Sequence, residues 1–174
     1  GMLTSIKTVI KRQLGYDRIQ QENWKNQNNF VNTEYEHGHI FDKAAFAVGI
    51  IFDIAHEHRF YIQACIDLKI NYRVIDIRVH NWIELVKQSG CKVFLIWPTI
   101  YKPIQKTFWD ERLYTIEKHL GLKVFPSSDL LWLYESKRRT LDWLHTHNLP
   151  HPKTWSFFER KHALDFVNQS SLPL

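Results

Sequence analysis

The chain has 174 residues, room for one domain, or one domain with an appendage, and not for two full catalytic domains. Its 44% hydrophobic and 24% charged residues place it among globular chains and exclude disorder, collagen-like repeats and low complexity. The net charge of +5 is spread out: basic and acidic residues stand at 5 to 5 over residues 1–42, 12 to 8 over 43–128 and 6 to 5 over 129–174, so no basic stripe marks a nucleic-acid surface. From the N-terminus, Ile6, Val9, Ile10 and Leu14 with Lys7, Lys11 and Arg12 between them read as a short amphipathic basic helix, which docks on its own domain or rests on a membrane surface. Residues 17–36 hold eight Asn or Gln and read as an irregular connector, so 1–43 form a helix and connector ahead of the globular pattern.

From Ala44 the pattern is α/β. The continuous apolar run Ala45–Phe52 suits a strand buried on both faces of a parallel sheet. Helices over Arg59–Leu68, near Trp82–Ser89 and over about Lys106–Leu120 alternate with strands at Tyr72–Ile77, Lys92–Trp97 and Leu122–Phe125. The last two helices close on Gly90 and Gly121, where a left-handed residue is wanted. Such alternation implies βαβ units and a Rossmann-like parallel sheet flanked by helices over 44–128. In an open sheet of that kind a ligand lies beyond the carboxyl ends of the strands. Those ends supply Asp53, His56, His58 and Arg59 after the first strand, Asp76 and Arg78 after the second, and Thr99 after the third, a mix suited to a small charged substrate. The same residues also fit solvated loops in which Asp53 or His58 caps the next helix.

Other chemistries have little to rest on. Glycines stand only at 1, 15, 38, 49, 90 and 121, so neither G-x-G-x-x-G nor the P-loop pattern can be written. His37-x-His39, His56-x-His58 and His145-x-His147 have chelating spacing, but no Cys or carboxylate completes a ligand set, and no metal site is expected. Cys65 and Cys91 make neither a C-x-x-C pair nor a disulfide scaffold. With no apolar run of about 18 residues and no signal-peptide pattern, the expectation is a cytoplasmic protein without stable membrane insertion.

Beyond the fourth strand, Ser127-Ser128-Asp129 caps a long helical stretch from Leu130 to about His147. Its apolar seam of Leu130, Tyr134, Leu141 and Leu144 also carries Lys137, which must snorkel, pair or take a ligand, unless a kink near Glu135-Ser136 turns it out to solvent. A left-handed Asn148 and a rigid turn follow, then a strand at Trp155–Phe158, a helix at about Arg160–Ser170, and Leu172-Pro173-Leu174.

Lys137, the turn Asn148-Leu149-Pro150-His151-Pro152-Lys153-Thr154 and Leu172-Pro173-Leu174 together resemble the junction between the pre-ATP-grasp and ATP-binding domains of the ATP-grasp superfamily, the carboxylate-activating ligases. Ser136 stands where the family has Asp or Asn, and Asn148 where it has Gly. The resemblance implies a pre-ATP-grasp domain over 44–128, and a linker helix, turn and first strand-helix of an ATP-grasp domain over 129–174. It implies Lys137 as a contact to ATP phosphate, with ATP and Mg²⁺ as cofactors of an ATP-dependent carboxylate-amine ligase working through an acyl phosphate. The substrate would be a small carboxylate or amine. The family's second lysine, glycine-rich loop and magnesium carboxylates lie further downstream, so the resemblance also implies a piece of a longer enzyme, inactive alone and completed in cis by the rest of the ATP-grasp domain. An apolar surface near 155–174 would then be left open, where homodimerisation could cover it. The alternative function is a stand-alone Rossmann-like module that binds a sugar, a nucleotide or a protein partner without chemistry.

Overall fold

The computed structural model describes residues 33–170, so the expected N-terminal helix over 2–14, most of the connector and Leu172-Pro173-Leu174 lie outside the described residues. The chain divides into two compact units, Gly1–Leu131 and Trp132–Leu174.

The first unit is α/β. Its strands are β1 (Gly38–His39), β2 (Val48–Ile51), β3 (Tyr72–Ile75), β4 (Val93–Leu95) and β5 (Lys123–Phe125), and they form one sheet in the order β1-β3-β2-β4-β5. Four of them run parallel, with Ile50 opposite Val74 and Leu95, and Phe94 opposite Val124. The sheet is nevertheless mixed and not wholly parallel as expected, because β1 pairs antiparallel with β3 through Gly38–Arg73 and His39–Tyr72. Helices α1 (Arg59–Leu68), α2 (Trp82–Gln88) and α3 (Pro103–Tyr114) connect the parallel strands.

The continuous apolar run of β2 has the anticipated cause. Ile50 and Ile51 are both fully buried, yet they belong to different cores because successive side chains leave a strand on opposite faces. Ile51 packs with Phe94, Ile96, Trp82, Val86, Trp109 and Leu113, and Ile50 with Ile62, Cys65 and Tyr72. Just before them Gly49 is fixed by contact: a Cβ there would sit 2.3 Å from the Phe94 ring, so the ring occupies the space of the missing side chain. Cys65 and Cys91 are both buried and free.

Helix boundaries follow local chemistry. Lys69 ends α1 in the left-handed conformation, with φ 53°. At α3, Pro103 stands at the first position and Gln105 Oε1 accepts the Tyr101 and Lys102 N–H groups at 2.7 and 3.0 Å, a box that sets the start three residues earlier than the apolar spacing indicates. α3 runs into a π-turn over Thr115–His119, from which the Glu117 carboxylate accepts hydrogen bonds from the Ser128 N–H and hydroxyl at the start of α4 (Ser128–Leu133). Gly90 and Gly121 take φ 69° and 66°, as expected of residues closing helices.

In the second unit, α5 (Lys137–Thr146) and α6 (Arg160–Gln169) are separate helices. The single helix expected from Leu130 to His147 is broken at residues 134–136, where Glu135 has φ 54°, a conformation that ends an α-helix. Thr140 bridges the break, its hydroxyl donating to Leu133 O and Ser136 O at 3.3 and 3.0 Å. Asn148 takes φ 52°, as its place after the helix requires. The expected strand at 155–158 does not form. The segment makes no ladder, and Trp155 and Phe157 instead lie against Phe166 of α6, with ring centroids 4.9 and 5.3 Å away.

Candidate functional site

Two places gather the residues that sequence reasoning singled out, one in each unit. In the first, strand order reverses between β2 and β4, so the loops after these strands lie at their carboxyl ends, where an open sheet of this kind takes a ligand. Asp53 follows β2 and Thr99 follows β4. The Asp53 carboxylate is wholly buried and accepts four hydrogen bonds: from Thr99 N–H at 2.9 Å, Thr99 hydroxyl at 2.7 Å, Ala55 N–H at 3.1 Å and Glu57 N–H at 3.2 Å. Such a set fills the acceptor capacity of a carboxylate. Asp53 and Thr99 therefore tie the two loops together, and the buried Asp53 carboxylate is spent on that tie.

His58 belongs to the same tie. It is 3% exposed, and its Nδ1 accepts the Asp53 N–H at 3.1 Å, which puts the ring proton on Nε2. Burial, helped by the neighbouring His56, Arg59 and Arg78, lowers its pKa from 6.5 to about 4. Burial also lowers the pKa of His56, partly opposed by Asp53 and Glu36. Both folded-state values lie below the unfolded one, so the unfolded chain binds more protons as pH falls. Stability present above pH 6.5 is lost as pH drops toward His58's folded pKa of about 4, by at most about 3 kcal/mol for that group. Urea unfolding at pH 7 and pH 4.5 checks this: His58→Gln should flatten the difference, and an unchanged slope would free His58 of the role.

The remaining strand-end residues surround Phe52. Its ring lies 5.1 Å from His56 and 4.8 Å from His58, with the Arg78 guanidinium 4.4 Å above it. Arg78 grips Asp76 bidentately at 2.9 and 2.7 Å, and this pairing holds the Asp76 carboxyl below its usual range despite opposing burial. Arg59 lies over Phe60 at 4.7 Å. The structure thus brings all seven predicted residues to one end of the sheet, with Asp53 and His58 buried and His56, Arg59, Asp76, Arg78 and Thr99 half-buried or exposed. Sequence reasoning missed Phe60 and Trp97 at this end, 48% and 44% exposed. The available signal was Trp97 directly before Pro98 at a strand end, where a loop and not the core continues.

In the second unit, Lys137 is the first residue of α5 and is exposed. The break leaves it solvent-exposed, yet still on the face of α5 that carries Leu141 and Leu144, four and seven residues on, which line the same groove. It lines an open groove of ≈ 670 Å³ together with Leu133, Ser136, Thr140, His151 and Thr154, among others. His151 Nδ1 and Thr154 Oγ1 donate to Leu149 O and Pro152 O at 2.8 and 2.9 Å, which stiffens the turn on that side of the groove.

Among the described residues no group of three or more His, Cys, Asp and Glu is placed to hold a metal ion, and no helix is long and apolar enough to cross a membrane. Comparison with family models, curated proteins and solved structures finds no match.

Proposed function

We propose that the chain carries the Rossmann-like pre-ATP-grasp domain and the opening elements of the nucleotide-binding domain of an ATP-dependent ligase of ATP-grasp type. The observation that supports this most is the groove of the second unit. Lys137 and the turn residues His151, Pro152 and Thr154, matched separately to the family pattern along the sequence, line one cavity. An exposed ammonium suits phosphate, where lysine acts as a point charge, although the Thr140 and Thr154 hydroxyls beside it already donate to backbone carbonyls. In such a reaction ATP would phosphorylate a carboxylate oxygen and leave as ADP, and an amine would then attack the acyl carbon and expel inorganic phosphate, losing a proton. Lys137 would hold and neutralise a phosphate in that reaction, which relies chiefly on positioning and charge. The reading gives Mg²⁺ no ligand among the described residues and requires its carboxylates, with a second lysine, C-terminal to the matched segment. The strand-end loops of the first unit would face the carboxylate or amine substrate.

Titration calorimetry with Mg-ATP on the full gene product should give saturable binding, weakened about tenfold or more by Lys137→Ala, the expected loss for one charged contact. An unchanged affinity would remove Lys137 from the nucleotide site. A binding module without chemistry is the second reading, favoured by the exposed rings beside cations at the strand ends. It gains if ATP does not bind while the strand-end face takes a ligand.

A further inference from the structure

The strand-end face of the first unit combines exposed aromatic rings with the guanidinium groups of Arg59 and Arg78. Trp97 is braced on α1 by Phe60 and Tyr61, at centroid distances of 6.1 and 6.2 Å, and the Tyr61 hydroxyl donates to Ile96 O at 3.3 Å, anchoring the backbone just before the indole. Despite this support Trp97 and Phe60 stay 44% and 48% exposed. Two large rings held rigidly yet left open are a ready stacking surface.

Two of the carboxylates at this end are engaged within the protein, while Glu57 also stands here, between His56 and His58. Asp53 is buried and fully bonded, and Asp76 is taken up by Arg78, whose own side chain remains 43% exposed. Arg59 stands over Phe60 and is close enough to lower the pKa of both His56 and His58. Its Nε is buried without a partner, as is Gln63 Oε1 one turn further along α1. The buried Nε is closed to a ligand, but a guanidinium charge stacked on Phe60 beside the exposed Trp97, at the point where strand order reverses, fits a ligand with a flat ring and an anionic group.

We infer that this face binds a small ring-bearing anion, a sugar or aromatic ring carrying a phosphate or carboxylate, between Trp97, Phe60 and Arg59. The inference extends the substrate-facing part of the proposed ligase reading but stands on the first unit alone, so it is tested without nucleotide. The full chain, labelled with ¹⁵N, is titrated with phenyl phosphate, glucose 6-phosphate and inorganic phosphate. At least one ring-bearing probe should give saturable shifts at the Trp97 indole and the Arg59 and Phe60 amides, with a Kd of about 1 mM, typical of so small a ligand. Inorganic phosphate should bind about tenfold more weakly, and whichever ring probe prevails tells sugar from aromatic. Trp97→Ala should abolish the preference for a ring, while Tyr114→Ala, an exposed ring on α3, should leave it intact. The inference is overturned if neither ring probe binds, if inorganic phosphate binds as well as both, or if the shifts fall within residues 133–154. Nucleotide binding at Lys137 is read separately by Mg-ATP calorimetry, so either reading can fail while the other stands.

Discussion

Asp53→Ala is expected to destabilise the first unit by about 4 kcal/mol, since it leaves three backbone N–H groups and one hydroxyl without their ionic acceptor. The carboxylate is 0% exposed and is the only side chain that bonds both to its own loop, at Ala55 and Glu57, and to the loop after β4, at Thr99, among the hydrogen bonds described above. Asp53→Asn keeps the shape and one acceptor oxygen but turns an NH₂ group toward donors, and should lose about half as much. Urea unfolding followed by tryptophan fluorescence reads both variants. A loss below about 1 kcal/mol for alanine would mean that the carboxylate is not a structural tie, and would return it to the pool of ligand contacts.

The positions of these groups were legible in the sequence, but their orientations were not. A parallel βαβ pattern places whatever follows each strand at the same end of the sheet, so Asp53, Asp76 and Thr99 could be gathered from spacing alone. Whether a loop side chain then turns inward depends on which donors meet it, and Thr99 lies 46 residues from Asp53. The exposed rings were not legible either: Ile62, Cys65 and Phe94 fill the inner faces of α1 and β4, which leaves Phe60 and Trp97 on the surface.

The fold shows the same division. β2 announced itself because both its faces are buried, which makes a continuous apolar run necessary. β1 gave no signal, being two residues whose strand character exists only through pairing with β3. The helix break at Glu135 was visible only as one of two alternatives, since a non-glycine residue at φ 54° is selected by its surroundings and not by intrinsic preference. The strand expected at 155–158 failed for the converse reason. Aromatic residues favour a pleated surface only where a neighbouring strand offers a ladder, and here Phe166 of α6 supplies the contact instead.

Asn71→Leu should cost about 4 kcal/mol, although it conserves side-chain volume and opens no cavity of consequence. Asn71 is 2% exposed, and both ends of its amide are used. Its Oδ1 accepts from the Phe41 and Asp42 N–H groups at 2.7 and 3.0 Å, and its Nδ2 donates to Asp42 O and to Ala45 O, the latter at 2.9 Å. One side chain at the entry to β3 thus satisfies the backbone of the segment joining β1 to β2, where no strand or helix can do so. Its own carbonyl accepts the Val48 N–H at 2.9 Å, at the start of β2. With leucine these four backbone groups lose their partners, and the β1 edge should loosen first. Amide exchange at Val74, whose N–H bonds to His37 O at 3.0 Å, should accelerate well beyond the change in global stability if the segment opens locally. Asn71→Asp separates the two halves of the interaction. It keeps the acceptor for Phe41 and Asp42 but sets a second oxygen against the carbonyls of Asp42 and Ala45, so it too should lose several kcal/mol at neutral pH. If aspartate were tolerated while leucine was not, only the acceptor half would matter, and the two bonds from Nδ2 would carry none of the stability assigned to them here.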